Sequence, residues 1–117
     1  MNAEEFKRRT RLFAVRVVRL VESLPKTRSG DVIGKQLLRS GTSVGANYRA
    51  ACRARSRAEF VSKMGIVEEE ADETVYWIEV LIEAGTVERE MVAGLLDEAN
   101  QLLAMVVASI NTSRGRS

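Results

Sequence analysis

A chain of 117 residues with 45% apolar content and one proline is long enough for one packed domain and too short for two ordinary ones. Its lone cysteine, Cys52, excludes a disulfide framework, and the absence of histidine closes the Ser-His, Cys-His and Glu-x-x-His routes to catalysis or di-metal binding. The net charge of +2 hides an asymmetry: residues 1–57 hold fourteen Lys/Arg against four acids, and residues 58–117 hold four against twelve. That polarity predicts an anionic partner for the first half, or pairing between the halves or between subunits.

The start, Asn2-Ala3-Glu4-Glu5, is a poor secretory signal, and no apolar run reads as long enough to span a bilayer. The expectation is a reduced, soluble, cytoplasmic protein without cofactor or membrane partner. The composition, rich in Ala, Leu, Val, Glu and Arg, favours helices.

Helix one is predicted over 3–24. Asn2 serves as N-cap with Glu5 three residues on, and Phe6, Phe13, Val17, Leu20 and Leu24 form one apolar stripe before Pro25. Helix two is predicted over 31–53 with Asp31 as N-cap. Its stripe, Leu37, Gly41, Val44, Tyr48 and Ala51, passes in phase through the glycine-containing run RSGTSVGANYRA. No strand precedes that run, and Ala46-Asn47 follows Gly45 where a phosphate loop needs Lys-Ser/Thr. Gly41 and Gly45 therefore read as a place where a neighbouring helix comes close. Ser40, Ser43 and Asn47 form a second line that needs hydrogen-bond partners if buried.

Helix three is predicted over 57–84, opened by the capping box Ser56-Arg57-Ala58-Glu59. Phe60, Met64, Val67, Ala71, Thr74, Ile78 and Leu81 recur along it at alternating fours and threes. Gly85 closes it, with Thr86 as the next N-cap. Helix four, over 87–111, carries one stripe at Val92, Leu95, Ala99, Leu102 and Val106. A second runs through Leu96, Leu103, Val107 and Ile110. Residues 112–117 are expected to be disordered. The sum is an all-α, antiparallel up-down-up-down four-helix bundle in a single domain. The surplus stripe on helix four points to a homo-oligomer.

Three kinds of residue are candidates for function. Lys35, Arg39, Arg49 and Arg53 share one face of helix two, and Arg55 and Arg57 continue it into the connection. Helix one adds Lys7, Arg8, Arg9, Arg11, Arg16 and Arg19, and the tail adds Arg114 and Arg116. Arginine-rich helical faces can hold nucleic-acid phosphates without reading bases, unless Arg49 or Arg53 pairs with helix-three acids. Glu70 and Glu73, one turn apart, form a candidate carboxylate pair for metal or proton transfer, or a partner for helix-two arginines. Trp77 and Tyr76 read as packing residues, and Cys52 has no histidine to activate it.

The stretch QLLRSGTSVGANYRAACRARSRAEFVSKMGIVEEEADETVYWIEVL, Gln36 to Leu81, resembles the signature of the bacterial 23S rRNA intervening-sequence protein family. Its members are often called four helix bundle proteins. The resemblance runs through Arg39, Ser40, Ser43, Asn47, Phe60, Glu70, Glu73, Thr74 and Trp77, and extends over essentially the whole chain. One departure is Val67-Glu68-Glu69, where many members carry a more alanine-rich step. The resemblance implies a four-helix bundle assembled as a homopentamer; Ser40, Gly41, Ser43, Gly45, Asn47, Glu70, Glu73, Thr74 and Trp77 are expected to serve interhelix packing and hydrogen bonding. It brings no catalytic residues. The chain is also similar at fold level to the pentameric accessory proteins of diversity-generating retroelements, which engage nucleic acid.

The leading expectation is a non-enzymatic oligomeric scaffold binding RNA or DNA through Lys35, Arg39, Arg49, Arg53, Arg55, Arg57, Arg16 and Arg19. The alternatives are an adaptor docking an acidic protein partner, and a metal-binding or catalytic protein built on Glu70 and Glu73.

Overall fold

The computed structural model describes residues 1–115. Four helices, α1 (Ala3–Ser23), α2 (Arg28–Ala51), α3 (Arg57–Glu83) and α4 (Arg89–Ser113), form a bundle 45 × 22 × 20 Å. Each helix packs on its chain neighbours, and α4 returns to meet α1 more sparingly, closing the square. The two stripes of α1 and α2 supply Phe6, Phe13, Val17, Leu37, Val44 and Tyr48 to the core. Facing them are Met64, Val67, Ile78 and Leu81 of α3 and Val92, Leu102 and Val106 of α4.

Local chemistry fixes the ends. Asn2 Oδ1 accepts from the Glu5 amide at 2.8 Å while its Nδ2 donates to Glu5 Oε1 at 3.1 Å, so two groups at the start of α1 are satisfied together. Ser56 Oγ accepts from the Glu59 amide at 3.1 Å. The expected start of α2 at Asp31 is corrected. Thr27, extended at φ −119°, accepts from the Gly30 amide at 3.0 Å, and the helix begins at Arg28. Asp31 then sits in the first turn, where a carboxylate favours the positive end of the helix dipole.

Thr86 is not the cap of α4. Its amide donates to the Leu81 carbonyl at 3.0 Å while Gly85, at φ +72°, donates to Ile82 at 3.0 Å, so both residues finish α3 in a Schellman motif. Helix α4 opens two residues later behind Glu88, whose side chain makes no capping bond. Thr112 and Ser113, expected to be disordered, are helical; the same expectation for 116–117 lies outside the described residues. The sequence-based denial of any membrane-length helix is also corrected, because α4 is long and apolar enough by length and composition. Its Val92, Leu95, Ala99, Leu102, Val106 and Ile110 are buried in the bundle.

The glycines of α2 determine how closely α1 can approach. A Cβ on Gly41 would lie 2.7 and 2.8 Å from the two γ-methyls of Val17, and one on Gly45 would lie 3.0 Å from Thr10 Oγ1. Thr10 can tolerate this burial because its hydroxyl turns back to the Phe6 and Lys7 carbonyls, each at 3.0 Å. Gly34 continues the line, 3.3 Å from Leu24 Cδ1 at the Cβ position. Glycine inside a helix costs about 1 kcal/mol relative to alanine, and here the close α1–α2 contact offsets it.

This sets up a contrast between two helical glycines. Val17 is β-branched, fully buried and unable to swing away. Gly41→Ala should therefore destabilise by about 1–3 kcal/mol despite its better helix propensity. Gly65 in α3 has nothing within 4 Å of its Cβ position, so Gly65→Ala should stabilise by up to about 1 kcal/mol. Urea unfolding of both variants checks the pair; equal effects would mean that α1 does not lie against Gly41.

Candidate nucleic-acid interface

The basic stripe of α2 divides once side chains are considered. Arg39 turns toward α3, where Nη1 donates to Glu70 Oε2 at 3.0 Å and Nη2 donates to Glu73. Trp77 Nε1 donates to the same Glu73 carboxylate at 3.1 Å. Beneath them the buried Thr74 hydroxyl donates to Ser40 Oγ at 3.0 Å and lies 2.7 Å from the Glu70 carbonyl oxygen. Arg39, Ser40, Glu70, Glu73, Thr74 and Trp77 thus form one α2–α3 tie. Arg39 was expected among the phosphate contacts; the geometry commits it to this tie. The arginine that pairs with α3 acids is Arg39, not Arg49 or Arg53. Ser43 and Asn47 do not bridge helices either. Each bonds back within α2, to the Arg39 and Ser43 carbonyls at 2.6 and 2.8 Å.

A second tie was missed in the sequence. Arg9 Nε and Nη2 grip the Glu98 carboxylate of α4 at 2.7 and 2.8 Å, and Nη2 also donates to Gln101 Oε1 at 2.6 Å. Among the basic residues of α1, nothing in the local pattern distinguishes Arg9; the signal lies in its placement opposite α4.

The remaining cations gather between α1 and α2. A recess of about 240 Å³ is lined by Lys7 and Arg11 from α1, Arg49 from α2, Arg53 just beyond its end, and Glu4. It shares Lys7, Arg11 and Arg49 with a shallower recess of about 180 Å³ floored by Thr10, Ala14, Thr42, Gly45 and Ala46. Because α1 and α2 run antiparallel, one basic row lies on each bank. Lys7 meets Glu4 at 3.4 Å, whereas Arg11, Arg49 and Arg53 make no ion pair among the described residues. The small floor residues leave the cationic heads standing above the groove. A chain of phosphates fits that pattern, because each phosphate can take one guanidinium without entering a deep pocket.

The other predicted contacts lie elsewhere. Arg55 in the connection and Arg57 at the start of α3 are exposed at the same end of the bundle as Arg53. Lys35 belongs to a depression at the opposite end with Lys26 and Asp31. Arg16 and Arg19 line a separate cavity between α1 and α4, away from the α2 row. Arg116 lies outside the described residues. Among the described residues no group of three or more Cys, Asp or Glu is placed to hold a metal ion.

Both ties shift carboxylates. The Trp77 indole N–H, with Arg39, holds Glu73 below its ordinary value of 4.5 against the opposing effect of burial. Arg9 does the same to Glu98. A carboxylate with a lowered folded value contributes stability that is complete above its unfolded value and lost as pH falls through the folded one. Thermal melting between about pH 6 and pH 3 should therefore show stability declining below the ordinary carboxylate range. Glu98→Gln should be less stable at neutral pH and show a flatter decline; an unchanged profile would detach Glu98 from the stability of the bundle.

Residues 4–108 match the 23S rRNA-intervening sequence protein family. No curated protein matches the chain. Among solved structures, one from Bacteroides thetaiotaomicron VPI-5482 is described as a protein with unknown function from the S23 ribosomal protein family. It is 38% identical, with 95% of this chain and 99% of that one covered at a TM-score of 0.87. Helix pattern, fold and matched span agree, and the chain belongs to the 23S rRNA-intervening sequence protein family.

Proposed function

We propose that this protein is a non-enzymatic, oligomeric helical scaffold of the cytoplasm that binds RNA or DNA phosphates in the α1–α2 groove. The observation that carries the reading is the pair of basic rows, Lys7 and Arg11 facing Arg49 and Arg53, with only Glu4 to oppose them. The family's name refers to intervening sequences of 23S rRNA, which makes structured RNA the first ligand to try. Assembly draws support from apolar side chains left exposed on α1, α2 and α3, among them Leu12, Val15, Val32 and Ile66. The homopentamer implied by resemblance is the expected assembly, and copies would multiply the basic surface. Against the metal or catalytic reading stands the engagement of Glu70 and Glu73 by Arg39.

Fluorescence anisotropy with a labelled structured RNA across a salt series tests the proposal. Affinity should fall linearly on a log-log plot, and replacing both Arg49 and Arg53 by alanine should reduce the slope by about 2, one unit for each lost phosphate contact. Charge reversal at both positions should abolish binding without changing the sedimentation of the assembly. Absence of binding at low salt, or full binding by the reversed variant, would turn attention to an acidic protein partner for the same groove.

A further inference from the structure

The cavity between α1 and α4 that takes Arg16 and Arg19 differs in kind from the α1–α2 groove. It is a depression of about 470 Å³ open to solvent on one side, within the size range of small-molecule sites. Its walls are mainly apolar: Leu20 on α1, Val87 before α4, and Met91, Val92 and Leu95 on α4. Met91 is 79% exposed, so its apolar side chain has no cover from the rest of the chain. The site exists because α1 and α4 meet less closely than the other neighbouring helices.

Charge is placed on one side. Neither Arg16 nor Arg19 makes an ion pair among the described residues, although Arg16 lies near enough to Glu98 to help hold that carboxylate low. Gly94 allows the Arg16 guanidinium to lie against the α4 backbone, with Nη2 3.3 Å from where a Cβ would stand. Glu88 lines the cavity from the start of α4 and repels an anionic head from that side. A nucleic-acid backbone suits this cavity poorly, because its phosphates would be drawn against an apolar wall. The matching ligand has one anionic head and an apolar body.

We infer that this α1–α4 cavity binds a free long-chain carboxylate, its head held by Arg16 and Arg19 and its chain laid along Leu20, Val87 and Met91. Two guanidinia supply charge-assisted hydrogen bonds to the carboxylate, and the apolar walls remove the chain from water. The site stands apart from the proposed nucleic-acid groove and does not depend on it.

Calorimetric titration of the full chain with decanoate, held below its micelle concentration, tests this site. The expected result is saturable uptake of one decanoate per chain, with no binding of acetate and about tenfold weaker binding of decanol. The double variant Arg16→Ala/Arg19→Ala should weaken decanoate about tenfold while keeping the wild-type RNA slope. Met91→Glu changes an exposed position and so should fold, but it places a second carboxylate in the cavity and should abolish uptake. No saturable uptake by the wild type, or uptake indifferent to both variants, overturns the inference. The inference equally falls if the wild type takes up no decanoate while Met91→Glu disperses the oligomer, since the cavity is then covered by another copy of the chain.

Discussion

The missing side chains of α2 set the geometry on which the rest of the molecule depends. With Gly41 beneath Val17 and Gly45 beneath Thr10, α1 lies closer to α2 than two alanine-lined helices could. The contact fixes register, because a displaced α1 would bring Val17 or Thr10 over a residue with a side chain. Register then decides which outward residues face each other. Lys7 and Arg11 come to stand across the groove from Arg49 and Arg53, and Gly45 with Ala14, Thr42 and Ala46 keeps its floor shallow. The same small residues thus serve the core on one side and the groove on the other.

Charge is divided by task. Arg9 and Arg39 are spent on interhelix ties, to Glu98 and to Glu70 with Glu73. The Arg9–Glu98 pair is largely buried and adds stability as well as register, whereas the more exposed Arg39 contributes mainly by fixing which helix faces which. The α2–α3 tie extends inward through Thr74 and Ser40 and outward through Trp77, so a polar line crosses the seam without leaving a buried group unpaired among the described residues. The cations left over are concentrated on α1 and α2, opposite the acid-rich second half of the chain. The sequence asymmetry therefore has two outlets, internal ties and a basic surface, and the structure apportions specific arginines to each.

Much of the fold was readable because core stripes repeat at helical spacing and because two caps, Asn2 and Ser56, have strong local chemistry. The starts of α2 and α4 were misplaced. Asp31 read as the cap, but Thr27, two residues past Pro25, is already extended and accepts from the Gly30 amide. Thr86 looked like a start because its role in ending α3 depends on bonds back to Leu81. Site residues were harder for a related reason. A helical wheel places Arg39 beside Arg49, yet a long side chain goes where a carboxylate waits, and Glu70 and Glu73 are distant in sequence. Arg16 and Arg19 were grouped with the α2 arginines by charge alone; the antiparallel register assigns that place to Lys7 and Arg11.

The central claim is that packing forced by α2's glycines produces a phosphate-binding groove between α1 and α2. Chemical-shift mapping of the labelled protein, titrated with a short unstructured RNA, addresses it most directly. Perturbations confined to Lys7, Arg11, Thr42, Ala46, Arg49 and Arg53 are the predicted result. Perturbations centred on Arg16 and Arg19, on Lys35, or nowhere on the surface would contradict it.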